Sequence, residues 1–223
     1  MSQIVAFLML SVAVLSDAIA SQQAAPVFDV TTAAPSVMVA TSEPGESYAE
    51  PEECMRKDII CMRYPIWFRA NPIQSVYGVP PKLPIVVTTY THYGQPEPDD
   101  ENSPRIMLLL ESTGRFMMPV YASGRVWRRS DDQYYILIDT PYPIHWLPCS
   151  VEDLREPIDA RRFSTKARLA LDDYSVKEHP ELFLLSRGYA TPQFGISVAR
   201  LSEHLRRLQP SSTDFSCVRD DES

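Results

Sequence analysis

Residues 104–139, PRIMLLLESTGRFMMPVYASGRVWRRSDDQYYILID, are dense enough in strand signals to decide the fold, and the rest of the chain is read outward from them. Ile106 to Leu110 is a continuous apolar run, the pattern of a strand buried on both faces. Ser112-Thr113-Gly114 supplies a turn and Phe116 to Tyr121 a second strand. Ala122-Ser123-Gly124 turns the chain into Val126-Trp127, and Arg129 to Asp132 turns it again into Tyr134 to Ile138. Glycine at 114 and 124 permits the positive φ that hairpin turns require. Pro119 has no N–H, so the second strand lies at an edge or carries a bulge there. The expected fold is α+β: predominantly an antiparallel β meander with a C-terminal helix, containing disulfides.

Outside the meander, Leu83 to Tyr93 alternates β-branched and polar residues and reads as a strand. Tyr64-Pro65-Ile66-Trp67-Phe68 is an aromatic group expected in the core. Gln95 to Pro104 is an acidic, proline-rich surface loop, and Thr140 to Cys149, with three prolines, is irregular or extended. Ser150 to Asp153 reads as the start of a short helix, and Phe163 to Asp172 alternates as a half-buried strand. Leu182 to Leu185 is a short apolar run, helix or strand undecided, ended by Gly188. From Ser197 to Gln209, Val198, Leu201, Leu205 and Leu208 share one face of a helix that Pro210 ends.

Domain boundaries follow from composition. Residues 1–20 carry an apolar stretch, Ile4 to Leu15, and an Ala18-Ile19-Ala20 cleavage site, so they read as a secretory signal peptide; the apolar run is too short to span a bilayer. Residues 21–52 are rich in Ala, Ser, Thr, Pro and Val and read as a disordered stalk, with Thr31, Thr32, Thr41 and Ser42 as O-glycan candidates. Residues 53–218 are expected to form a single β-rich domain, followed by an acidic tail at 219–223. Neither Asn71 nor Asn102 opens an N-glycosylation sequon. The four cysteines, Cys54, Cys61, Cys149 and Cys217, form an even set in a secreted chain and predict two disulfides of open connectivity.

The net charge of −8 argues against nucleic acid as a partner. Cysteine and histidine spacings suit no metal, no cofactor motif occurs, and glycine is scarce. No catalytic motif is present, so the expectation is a protein that is not an enzyme. A secreted hydrolase using His92 or His145 as base is the alternative from another class, and an extracellular structural or matrix protein is a third. Asp131-Asp132, Asp172-Asp173 and Asp220-Asp221 read as solvated turn acids. The basic residues fall in three groups: Arg125, Arg128 and Arg129; Arg161, Arg162, Lys166 and Arg168; Arg200, Arg206 and Arg207. They read as a face for an acidic partner or a sulfated glycan, or as plain solvated surface. Phe116, Met118, Trp127, Arg128 and Arg129 are the candidate partner-binding residues, because aromatic, Met and Arg side chains are enriched at interfaces. Trp127 also reads as core.

Leu108-Leu109, the turn at Gly114, Ser123, Trp127 with Arg128-Arg129, the strand Tyr135 to Ile138, Ser150 to Asp153 and Cys217 occur in an order similar to the chemokine-like subunits of the cytomegalovirus receptor-binding entry complex. The likeness covers about a quarter of the chain, which lacks the adjacent or near-adjacent cysteine pair of chemokines. It implies a secreted accessory subunit that reaches the virion surface through a membrane-anchored glycoprotein partner, with no membrane span of its own, and that determines which cells are entered.

Overall fold

The computed structural model describes residues 24–29, 32–48, 64–78, 83–91, 103–119, 122–139, 152–164 and 167–208. The expected signal peptide, all four cysteines, the 140–149 segment, His92, His145, Lys166 and the acidic tail lie outside them.

The described chain is mostly antiparallel β. Its first lobe is a closed ring of five strands: β1 (Ala34–Ser42), β3 (Tyr64–Tyr77), β4 (Ile85–Thr91), β6 (Arg115–Met117) and β5 (Arg105–Ser112), which returns to β1. The two-residue β2 (Glu46–Ser47) pairs with β3 at Ile66 and Trp67. β3 is 14 residues long, pairing with β4 along its first half and β1 along its second, so it wraps the barrel. All ring contacts are antiparallel except β4–β6, where Val87 and Thr88 face Phe116 and Met117 in parallel. This connectivity is that of the five-stranded Greek-key barrel known as the OB-fold, an architecture shared by many unrelated functions.

Side-chain alternation fills the barrel. Met38, Ala40, Phe68, Ala70, Val87, Met107 and Leu109 form one buried cluster inside, with Phe116 and Met118 packed against it. The intervening residues of β1 and β5, Val37, Val39, Ile106 and Leu108, belong to a second cluster outside the ring. Both strands are thus buried on two faces, which explains their continuous apolar runs. For β5 the sequence reading holds. For β1 it does not: Ala34–Ser42 lies within the expected disordered stalk, yet Val37 to Ala40 are all buried and the strand closes the barrel.

The meander is also built differently from expectation. β6 and β7 (Ser123–Arg125) both lie along the same edge of β5, interrupted rather than turned. β6 ends at Met117, two residues before Pro119; Met118 N–H donates to Thr88 O (2.8 Å) and Ala122 N–H to Pro119 O (3.0 Å). The strand expected from Phe116 to Tyr121 therefore stops short of Pro119, which has no N–H to give to a ladder. Gly114 has φ +76°, as a tight turn demands, whereas Gly124 makes no turn: it sits in β7 opposite Ile106.

Val126 carries the chain out of the barrel into a second sheet, ordered β10 (Glu156–Pro157), β13 (Phe194–Ser197), β9 (Tyr134–Leu137), β8 (Trp127–Arg128). A separate hairpin joins β11 (Phe183–Ser186) to β12 (Tyr189–Pro192). The segment expected as a strand from Phe163 to Asp172 instead follows a 3-10 turn (Ala160–Arg162), and its described residues hold one isolated bridge, Leu169 to Ala190. Phe163 is buried against Tyr135, Leu137 and Ala167 without pairing in a strand. A short helix α1 (Tyr174–Glu178), capped by Asp173, precedes the hairpin.

Helix α2 (Val198–Leu208) joins the lobes, close to its predicted span. Val198, Leu201 and Leu205 meet Val37, Val76, Ile106 and Leu108 from the barrel and Ile136, Ile138 and Ile196 from the second sheet. Buried Ser202 Oγ donates to Val76 O at 2.6 Å, pinning helix to barrel. Leu208, predicted on the buried face, is 43% exposed in the last turn. Among the described residues no helix is long and apolar enough to cross a membrane.

Candidate partner-binding surfaces

The candidate residues fall in two places. Phe116 and Met118 belong to the barrel, half-buried against its interior, and the neighbourhood of Phe116 opens to solvent. That neighbourhood is a cleft of about 510 Å³ across the β4–β6 seam, lined by Ala24, Pro26, Tyr48, Ile85, Val86, Thr88, Gly114, Arg115 and Phe116. Tyr48 and Thr88 share a hydrogen bond of 3.0 Å between hydroxyls on its wall. Among the described residues of that lining Arg115 is the one that is charged, so an occupant meets an apolar wall, a hydroxyl pair and a cation.

Trp127, Arg128 and Arg129 belong to the second sheet. Trp127 pairs with Tyr135 across β8–β9 and packs half-buried against the small core of Tyr135, Leu137, Phe163 and Ala167. The Phe163 ring meets Tyr135 edge-on, with centroids 5.6 Å apart. One side of Trp127 is thus packed and the remainder faces outward beneath the Arg125 guanidinium, 5.3 Å from the ring centroid.

The two neighbouring arginines differ. Strand alternation sends them to opposite faces. Arg129 lies on the Trp127 face, its side chain only 19% exposed, with its guanidinium 4.6 Å from the Tyr135 centroid. It grips Asp131 through Nε (2.8 Å) and Nη2 (2.6 Å) and also reaches Gln133 at 2.9 Å. Arg162, from the 3-10 turn, donates to the same Asp131 carboxylate at 3.1 Å, while Ser130 N–H donates to Arg162 O at 3.0 Å. Asp131 thus staples two turns together. Arg128 makes a single ion pair with Asp132 at 2.9 Å and keeps 60% of its side chain exposed.

These contacts set the electrostatics. The hydrogen bond from Arg129, reinforced by the charges of Arg129 and Arg162, holds the Asp131 carboxyl down at about 2. Asp159 is lowered by Arg161 in the same way, and Arg129 is raised by Asp131. Burial, followed by a hydrogen bond to Glu156, pushes the Tyr135 hydroxyl up; Glu156 also accepts from Arg200 of α2 at 3.1 Å. The expected solvated acid pair at Asp131-Asp132 is accordingly divided, Asp131 built into the sheet corner and Asp132 outside at φ +66°. Arg129 and Arg162, one from each of the first two basic groups, converge on this corner, whereas Arg161 pairs with Asp159, Arg168 lies over Tyr189 and Arg200 turns to Glu156.

Sequence inspection misses the staple because Arg162 lies thirty-one positions from its partner Asp131. The Arg-Ser-Asp order at 129–131 is the local signal for its inner half. The seam cleft draws on Tyr48 and Arg115, which no period or motif singles out.

No family model, no curated protein and no solved structure matches this chain.

Proposed function

We propose that this chain is a secreted, non-enzymatic protein-binding module that uses the outer edge of β8 to dock on a membrane-anchored glycoprotein, as an accessory subunit of a viral attachment or entry complex. The observation that carries the docking surface is the half-exposed Trp127 indole, held between Tyr135 and Arg125 and flanked by the exposed Arg128. A large aromatic side chain already fixed in place loses little freedom on binding, so its burial contributes more of its area to affinity. The assignment to an entry complex rests on the resemblance of the meander to the chemokine-like subunits, and secretion on the N-terminal sequence.

The test separates the exposed arginine from the built-in one. Partners of the full secreted chain are captured and identified, then affinity is measured for Arg128→Glu with Arg129 intact. Reversing an exposed interfacial charge is expected to weaken binding about tenfold, more at low salt than at high, without lowering Tm. Unchanged affinity across salt concentrations makes the edge an ordinary solvated face and removes this assignment.

A second reading has its own observation in the seam cleft. Its size and its Tyr48, Phe116 and Arg115 lining suit a small ligand or chain segment carrying one anionic group. Arg115→Glu abolishes such binding while leaving partner capture by β8 unchanged.

A further inference from the structure

The hairpin β11–β12 is the least covered part of the described sheet structure. Leu185 faces Ala190 and Leu184 faces Thr191 across it. The outer side of β12 is engaged, since Ala190 N–H and C=O exchange 2.9 Å hydrogen bonds with Leu169. A strand residue directs both backbone groups to one side, so Leu185, opposite Ala190, directs its own away from β12. No described strand pairs with that outer edge of β11. Exposed edges are normally protected by Lys, Pro, a bulge or an inward charge. β11 reads Phe-Leu-Leu-Ser and presents Leu184 and Leu185 at 59% and 54% exposure. At its start the edge is closed, because Phe183 O already accepts from Gln193 Nε2 at 2.8 Å.

We propose that two copies of this chain pair antiparallel along this edge, about a two-fold axis near Leu185. The charges select this occupant. Glu181, whose side chain is 67% exposed beside His179, stands at one end of the strand, and exposed Arg187 stands at the other. Antiparallel pairing brings the acidic end of each copy to the basic end of the other, with the leucines meeting at the centre. A partner of different sequence has to supply that polarity separately, whereas a second copy carries it by symmetry. The edge is distinct from the proposed partner surface on β8.

Sedimentation equilibrium on the full chain, from about 1 µM to about 100 µM, reads the association directly. A concentration-dependent dimer is expected, and Leu185→Lys weakens it at least tenfold, by roughly the cost of placing like charges at the axis. Glu181→Arg and Arg187→Glu each weaken it, and combining them restores the dimer to within about twofold because the complementarity is reversed, not lost. The altered side chains are exposed, so circular dichroism and Tm remain those of the parent. A parent that stays monomeric throughout overturns self-pairing and leaves the edge to another strand. A dimer indifferent to Leu185→Lys, or charge reversal that fails to restore association, overturns it equally.

Discussion

The barrel and the second sheet solve the same problem by different physics. Every barrel strand except β6 is at least seven residues long, and β1 and β5 sit between two apolar clusters, so burial holds them. The strands of the second sheet are two to four residues long. Ladders that short gain little from pairing, and its outer corner is fixed by side chains instead: Arg129 on Tyr135, and Arg129 with Arg162 on Asp131. Burial makes a region insensitive to salt and pH. A stapled corner remains open to both, and it leaves aromatic and cationic groups at the surface in fixed positions. The proposed docking edge therefore lies in the stapled lobe.

The largest effect is expected where burial alone acts. Leu109 is fully buried inside the barrel, and Leu109→Ala should destabilise the protein by about 2–5 kcal/mol through lost transfer energy and the cavity left behind. Val39→Asp, on the other side of the same wall, buries an unpaired carboxylate between lobes and should prevent folding. Urea unfolding checks the first, and recovery of soluble protein the second. If Val39→Asp folds with native stability, β1 is dispensable and the barrel does not depend on it.

That test bears on the part of the fold least legible in sequence. Ile106 to Leu110 announced a doubly buried strand because its residues are large. Val37-Met38-Val39-Ala40 carries the same message in smaller side chains, but averaging over residues 21–52 buried it among Ser, Thr, Pro and Ala. Leu83 to Tyr93 and Ser197 to Gln209 were legible because period and end signals agree, giving β4 and α2. Phe163 to Asp172 misled because alternation without neighbouring strands does not make a sheet. At the candidate site, residue types pointed to Trp127, Arg128 and Arg129 as one group. Which arginine is exposed depends on Asp131 and Arg162, and so on tertiary placement.

The junction of the lobes gives the next largest effect. Ser202→Ala removes the donor to Val76 O and leaves a buried carbonyl unpaired, which should cost about 1–3 kcal/mol. Hydrogen exchange should then show α2 opening more often, while the barrel interior around Leu109 keeps its protection. Equal loss in both places indicates one cooperative unit, and the comparison between lobes would then be structural only.

Within the stapled corner, Arg129→Ala should cost about 1 kcal/mol, the sum expected of one cation–π contact and a well-formed bidentate pair. Arg128→Ala should leave Tm unchanged, since its single ion pair is exposed on both sides. Added salt should shrink the Arg129 difference. Equal effects of the two substitutions would mean that Asp131 binds no arginine preferentially in solution.

The smallest effect is a slope against pH, and its sign distinguishes the two physics. Asp131 titrates at about 2 in the folded protein, below the 3.8 of a free carboxyl, chiefly because Arg129 donates to its ionised form. A depressed folded value means that the unfolded chain binds the proton more readily. The stabilisation is then complete above the ordinary value and is lost as pH falls through the window from 3.8 to about 2. Asp139, at the end of β9, is shifted the other way: burial disfavours its charge and Asp173 adds repulsion. Its contribution is present at low pH and declines as pH rises through its folded value. Thermal melts of the parent, Asp131→Asn and Asp139→Asn from acid to neutral pH should give difference curves of opposite slope. The Asp131→Asn penalty should shrink toward pH 2, where about half of the parent's Asp131 has lost the same charge. A penalty that persists there undiminished belongs to the shape of the side chain rather than to its charge, and the corner is then packed, not stapled.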